Sequence, residues 1–193
     1  MGMRIWLSIV LLALAPGSQA ADKQNRFAIE GVGLLTCADY SAARQARSPL
    51  YHQFGGWMNG YLTGVNRYVP STFDMVPWQS TAMLTHWLAE FCEKNPEVQF
   101  IRAVTALANR LSDRRMPAYS EMLTLSAGGH QVRIYDRVLR RVQRRLIELG
   151  YPGVEENGLF EQPMRDALIK YQGEQGLPET ALPDPATLAK LLQ

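Results

Sequence analysis

The stretch V142-QRRLIELGYPGVEENGLFEQPMRDALIKYQGEQGLPETALPDPATLAKL-L192 decides how the C-terminal part of the chain folds. Reading upstream from it, Tyr135, Val138, Leu139, Val142, Leu146 and Leu149 form one apolar stripe at helical spacing, a period that begins near Val132. Gly150 stops that helix as a C′ residue. Tyr151 to Gly158 (YPGVEENG) is rich in turn formers. Pro163 opens a shorter helix carrying Met164, Ala167, Leu168 and Tyr171, which ends at Gly176. Asp184-Pro185 opens a last one as N-cap and first helical residue, with Leu188, Leu191 and Leu192 apolar. Three short helices give a marginal core, so these leucines must pack closely.

In order and spacing this stretch resembles the three-helix peptidoglycan-binding domain found beside many cell-wall hydrolases. That family shows V-x-x-L-x-x-L-G-Y, a D-G-x-F-G turn, a helix ending in F-Q, then G-L-x-x-T-G-x-x-D-x-x-T-L. Val142, Leu146, Leu149, Gly150 and Tyr151 match the first part, and Gly158 and Phe160 match the turn. Tyr171-Gln172 stands where F-Q would, and Gly176-Leu177, Thr180, Asp184, Thr187 and Leu188 match the end. Most of these are glycines, caps and core leucines, which hold the bundle together whatever it binds. The sequence departs from the family at the turn: Asn157 replaces Asp, Glu161 replaces Gly and Met164 stands where Thr is usual. Asn157 keeps an acceptor without its charge, and Glu161 adds an anion that suits a helix start but repels a substrate carboxylate. The resemblance implies peptidoglycan as a partner, with candidate contacts at Tyr151, Asn157, Phe160, Arg165 and Tyr171.

The other end of the chain reads as an export signal. Arg4 precedes an apolar run from Ile5 to Ala15, too short to span a bilayer, and Pro16-Gly17 breaks it. Ser18-Gln19-Ala20 puts small residues where signal peptidase reads, so cleavage after Ala20 is expected; an uncleaved N-terminal anchor is the alternative. No cysteine follows the run closely enough for a lipid anchor, and no later segment is long and apolar enough for a transmembrane one. The expected location is the periplasm. A formal charge of +2 gives no argument for nucleic acid. Cys37 and Cys92 are the two cysteines. In an oxidising compartment they read as one structural disulfide, against the alternatives of two buried thiols or a redox pair, which usually shows C-x-x-C.

Between these ends, Thr36-Cys37-Ala38-Asp39 has the form of a capping box and starts a helix at Cys37. A second helix is expected over Tyr51 to Asn66, with Phe54, Trp57, Met58, Tyr61 and Val65 on one face. Gly56, Gly60 and Gly64 recur along it, a stripe that predicts close approach of another backbone. A third helix is expected over Gln79 to Glu93, with Leu84, Trp87, Leu88 and Phe91 inward. Asn95-Pro96 reads as the start of a fourth, buried through Phe100, Val104, Leu107 and Leu111. Ser112 to His130, with Pro117 and Gly128-Gly129, reads as a linker in which Met122-Leu123 and Leu125 could pack locally. The expected organisation is a signal peptide over 1–20, a helical bundle over 21–111, a linker over 112–130 and the C-terminal domain over 131–193.

TCADY (Thr36 to Tyr40), WMNGYLTGVN (Trp57 to Asn66) and FCEKNP (Phe91 to Pro96) resemble small disulfide-stapled periplasmic helical proteins of the HdeA acid-chaperone type. That likeness runs from Thr36 to about Leu111 and implies a fold and an exported setting. The expected fold class is therefore all-α: a disulfide-stapled helical bundle followed by a small three-helix peptidoglycan-binding-like domain.

Candidate chemistry is sparse. His52, His86 and His130 stand apart from any metal spacing, and neither a G-x-S-x-G elbow nor a phosphate-binding glycine loop is present. Glu155-Glu156 are adjacent on a turn and do not flank one bond as glycan hydrolysis requires. Trp57, Tyr61, Trp78 and Trp87 could stack on sugars, yet three of them fall on apolar faces and read as core. Arg133, Arg137, Arg140, Arg141, Arg144 and Arg145 crowd the first C-terminal helix. Arg137, Arg141 and Arg144 share one side, either as a site for an anionic partner or as a solvated face balanced by Glu148, Glu155, Glu156 and Glu161. The expectation is an exported non-catalytic binding protein, without cofactor or metal. It would hold peptidoglycan through its C-terminal domain and present the bundle to an unknown periplasmic protein. The alternative is a periplasmic chaperone or protein-interaction factor whose C-terminal domain no longer binds the wall.

Overall fold

The computed structural model describes residues 22–24 and 26–192; the expected signal peptide over 1–20 lies outside them. A 3₁₀ turn at Gly31–Leu34 leads into α1 (Cys37–Gln45), α2 (Pro49–Tyr68), α3 (Thr81–Lys94) and α4 (Phe100–Leu111). The capping box at the start of α1 is formed in both directions. Thr36 Oγ1 accepts from the Asp39 amide at 3.2 Å, and the Thr36 amide donates to Asp39 Oδ2 at 2.8 Å. Two further hydrogen bonds complete the first turn: the Cys37 and Ala38 amides donate to the carbonyls of Val98 and Pro96.

That use of Val98 and Pro96 explains a correction. Asn95-Pro96 does not start a helix; Asn95 caps the end of α3, its Nδ2 donating to the Phe91 carbonyl at 2.8 Å, and α4 begins at Phe100. Carbonyls aimed sideways at α1 cannot also accept along a helix of their own. The glycine stripe is corrected as well. A Cβ at Gly56, Gly60 or Gly64 would meet nothing within 4 Å, so no backbone packs there. Close approach occurs instead at Gly33, where a Cβ would overlap the Trp57 ring, whose Nε1 donates to the Glu30 carbonyl.

The bundle's core is aromatic at its centre. Tyr40, Phe54 and Phe100 are fully buried, with ring centroids 4.6 to 5.3 Å apart, and the Tyr40 hydroxyl donates to the Thr85 carbonyl. Cys37 and Cys92 form the disulfide, tying the start of α1 to the end of α3.

The chain is not strictly all-α. After a 3₁₀ turn at Ser112–Arg114, β1 (Met122–Ala127) pairs antiparallel with β2 (His130–Tyr135) where an irregular linker was expected. Gly128 and Gly129 take φ +55° and +78°, the left-handed pair that a tight hairpin turn requires. Leu123, Leu125 and Ala127 on one strand and Val132 and Ile134 on the other face one hydrophobic cluster. The helical reading from Val132 failed because Val132, Tyr135, Val138 and Leu139 also fit a 3.6-residue period. Arg133 accordingly sits on β2, not on a helix.

Helices α5 (Asp136–Glu148), α6 (Gln162–Glu174) and α7 (Pro185–Leu191) complete the chain. Ser120 Oγ accepts from the Arg137 amide, serving the first turn of α5 from outside the helix. Gly150, at φ +85°, ends α5 as expected, but Leu149 is 45% exposed and leaves the apolar stripe. Asp184 caps α7 by accepting from the Thr187 amide. The bundle also contributes to this second cluster: Trp78 is buried in it, and Trp87 packs against both cores. None of the described helices is long and apolar enough to cross a membrane.

Breaking the staple should weaken the bundle. Closing a loop with a sequence separation of 55 stabilises by about 4 kcal/mol in the chain-entropy model. A Cys37→Ala/Cys92→Ala variant is expected to lose about 2–4 kcal/mol, read as a lower urea midpoint.

Candidate functional site

The turn between α5 and α6 is built around one buried side chain. Gln143, on α5 and 1% exposed, donates from Nε2 to the Leu159 carbonyl at 2.8 Å and to Asn157 Oδ1 at 3.1 Å. Its Oε1 accepts from the Gly158 amide at 2.9 Å. Asn157 Oδ1 also accepts from the Leu159 amide at 2.8 Å, an Asx-type turn. Gly158 is at φ +77°, and a Cβ there would overlap Asp136 Oδ1 and Arg140 Nη2. Arg140 lies over this glycine, donating from Nε to Asp136 Oδ2 and from Nη1 to the Glu156 carbonyl. The turn is therefore nearly solid, and the void beneath it measures only about 10 Å³.

A second buried amide does the same work one loop later. Gln172, fully buried on α6, donates from the two N–H groups of Nε2 to Thr187 Oγ1 at 2.8 Å and the Leu182 carbonyl at 2.9 Å, with Thr180 Oγ1 3.0 Å away. Its Oε1 accepts from the Ala181 amide at 3.0 Å. Hydrophobic periodicity gives no signal for either glutamine; the position of Gln172 in the family's F-Q pair is the one sequence cue.

The expected contact residues separate into two sorts. Phe160 and Arg165 come together at the start of α6, with the guanidinium carbon 5.4 Å from the ring centre and Arg165 Nη1 donating to the Phe160 carbonyl. Tyr151 is half-buried, its hydroxyl donating to Glu174 Oε2 and Lys170 Nζ lying 5.8 Å from its ring centre. Burial, then the Glu174 carboxylate, pushes the Tyr151 phenol up to about 12. Tyr171 is only 5% exposed and packs edge-on against Tyr151, which makes it a core residue. Asn157 likewise turns its oxygen inward, and Met164 is buried.

The arginine row is also divided. Arg144 pairs with Glu156, Nε to Oε2 at 2.9 Å, which holds the Glu156 carboxyl below its ordinary value. Arg145 pairs with Glu148 at 2.9 Å. Arg141 is half-buried and donates to the Leu192 carbonyl at 3.3 Å. Arg141, Arg144 and Arg145 line a concavity of about 250 Å³ against Leu191 and Leu192, and Arg137 does not reach it. The four aromatics named for sugar stacking are engaged elsewhere. Trp57 stacks on Tyr61, and Trp78 and Trp87 serve the cores. The surface instead presents Phe73 and Tyr119, edge to face at 5.4 Å, which sequence periodicity gave no reason to single out. Among the described residues no three His, Cys, Asp or Glu side chains converge as metal ligands.

Residues 138–191 match the family model described as "Putative peptidoglycan binding domain". No curated protein and no solved structure matches the chain. The match spans α5, α6 and α7 with both glutamine-stitched loops, and stops short of the hairpin and the stapled bundle.

Two outcomes follow from this geometry. Gln143→Leu leaves the Gly158 amide and the Leu159 carbonyl without their partner, and should destabilise the chain by about 2–4 kcal/mol in chemical denaturation. The raised Tyr151 pKa means that the folded state holds the phenolic proton more tightly than the unfolded chain. Its contribution to stability is complete below pH 10 and is lost as the pH rises through about 12. Tyr151→Phe should remove that part of the alkaline decline.

Proposed function

We propose that this is an exported, non-catalytic protein that associates with peptidoglycan through α5–α7 and presents the stapled bundle to a periplasmic partner. The observation that carries the reading is the peptidoglycan-binding family match over residues 138–191, which covers the whole of the glutamine-stitched unit. Export is supported by the leader-like residues 1–20 and by the Cys37–Cys92 disulfide, which an oxidising compartment sustains. A non-catalytic role is supported by His52, His86 and His130 lying on three different elements, α2, α3 and the hairpin.

One observation favours a second reading. Asn157 is consumed by the turn, Met164 is buried and Glu161 is exposed, so the departures from the family pattern leave an added anion at the surface of the turn. A protein-interaction or chaperone factor, whose C-terminal module has lost the wall, accommodates this.

Co-sedimentation of the full mature chain with purified sacculi separates the two. Retention is expected, and Arg165→Ala, which removes the cation beside Phe160, should weaken it by roughly tenfold with unchanged melting. A chain that stays in the supernatant while suppressing aggregation of a denatured client would establish the second reading in its place.

A further inference from the structure

The largest concavity near the C-terminal module lies away from the turn that the family pattern marks. A cleft of about 600 Å³ opens where the bundle meets α7, lined by His86, Trp87 and Glu90 of α3, Arg110 of α4, Arg114 of the 3₁₀ turn after it, and Ala189 of α7. It combines two unlike walls. Trp87, with Met83 and Leu111 beside it, supplies apolar surface; Arg110 and Arg114 supply exposed guanidinium groups.

The arginines of this region differ in their partners. Arg144 and Arg145 have carboxylate partners, whereas among the described residues no carboxylate lies within 4.0 Å of Arg110, Arg114 or Arg141. Burial, then Arg114 and Arg144 as like charges, lower the pKa of Arg141, so the cleft and the smaller concavity beside α7 share one field. Like charges gathered in a partly enclosed space attract an anion. The one carboxylate in the cleft, Glu90, is 3.4 Å from His86 and remains able to accept from a ligand N–H.

We infer that this cleft binds the peptide stem of peptidoglycan, with Arg110 and Arg114 taking its carboxylates and Trp87 and Ala189 its small apolar side chains. The inference rests on the wall-binding reading above, extends the binding surface from α7 onto the bundle, and names the part of the polymer that is held. Guanidinium groups match carboxylates in a two-point fork, which favours a carboxylate-bearing ligand. The volume is that of a small-ligand site and admits a few residues of peptide. A bare phosphate would use the arginines and leave the apolar wall idle; a peptide carrying both carboxylates and N–H groups uses both arginines, Glu90 and the tryptophan.

The test uses the full mature chain and an Arg110→Gln/Arg114→Gln variant, with Arg102→Gln, an exposed charge elsewhere on α4, as control. The probes are sacculi, the soluble muropeptides released from them by a muramidase, and the same muropeptides with carboxylates amidated. The chain should sediment with sacculi and bind muropeptides. The double variant should bind muropeptides at least roughly tenfold more weakly, with unchanged melting, and Arg102→Gln should not. Amidation should weaken binding to the unsubstituted chain by a similar factor. Equal muropeptide binding by chain and double variant, indifference to amidation, or sedimentation with sacculi without muropeptide binding would each overturn the cleft and leave wall association standing. Failure of the unsubstituted chain to sediment would overturn both.

Discussion

Two buried glutamine amides set the shape of the C-terminal module. Its loops, from Gly150 to Phe160 and from Gly176 to Pro183, contain no regular structure of their own, yet their inward backbone groups are shielded from water. Buried N–H and C=O groups must find partners, and a loop cannot supply them from a ladder. Gln143 and Gln172 extend from rigid helices and meet that demand, each through both its donor and its acceptor. With the loops pinned in this way, α6 and α7 can only lie where they do against α5. The Phe160–Arg165 pair and the position of Ala189 follow from that placement.

The junction between the modules is where packing turns into chemistry. Trp87 belongs to both hydrophobic clusters, so the bundle's third helix reaches the C-terminal core while its neighbouring residues stay at the surface. Arg110 of α4 and Arg114 of the following 3₁₀ turn arrive at the same place, and Arg114 meets the field of Arg141. Neither module alone assembles this group of cations: two come from one and the third from the other.

Much of the helical framework was legible because local signals and tertiary structure agree. Thr36 and Asp39 form the capping box their spacing suggests, Gly150 stops α5, Asp184 caps α7, and the cysteines pair. The failures share a cause: one local signal compatible with two structures, decided by long-range contacts. Asn95-Pro96 would serve a helix start or a helix end, and the need of α1 for acceptors from Pro96 and Val98 chose the latter. Val132 onward fits a helix or a strand until Leu123 and Leu125 pair with Ile134 and Val132. The site was less legible. Tyr151, Phe160 and Arg165 could be named from family spacing, but Tyr171 and Asn157 turned out to hold the module together. Arg110 and Arg114 lie far from Arg141 in sequence and could be joined to it only by the fold.

The hairpin carries a consequence for where the C-terminal module ends. The family match begins at Val138, yet the core it encloses is closed on one side by Leu125 and Ile134 of the two strands and by Trp78 from the loop before α3. A cut near Gly128, where glycines invite one, would separate β1 from β2 and open that side to water. The portable unit is therefore longer than its recognisable signature. A chain divided at Gly128 would yield two fragments, each with a bare flank.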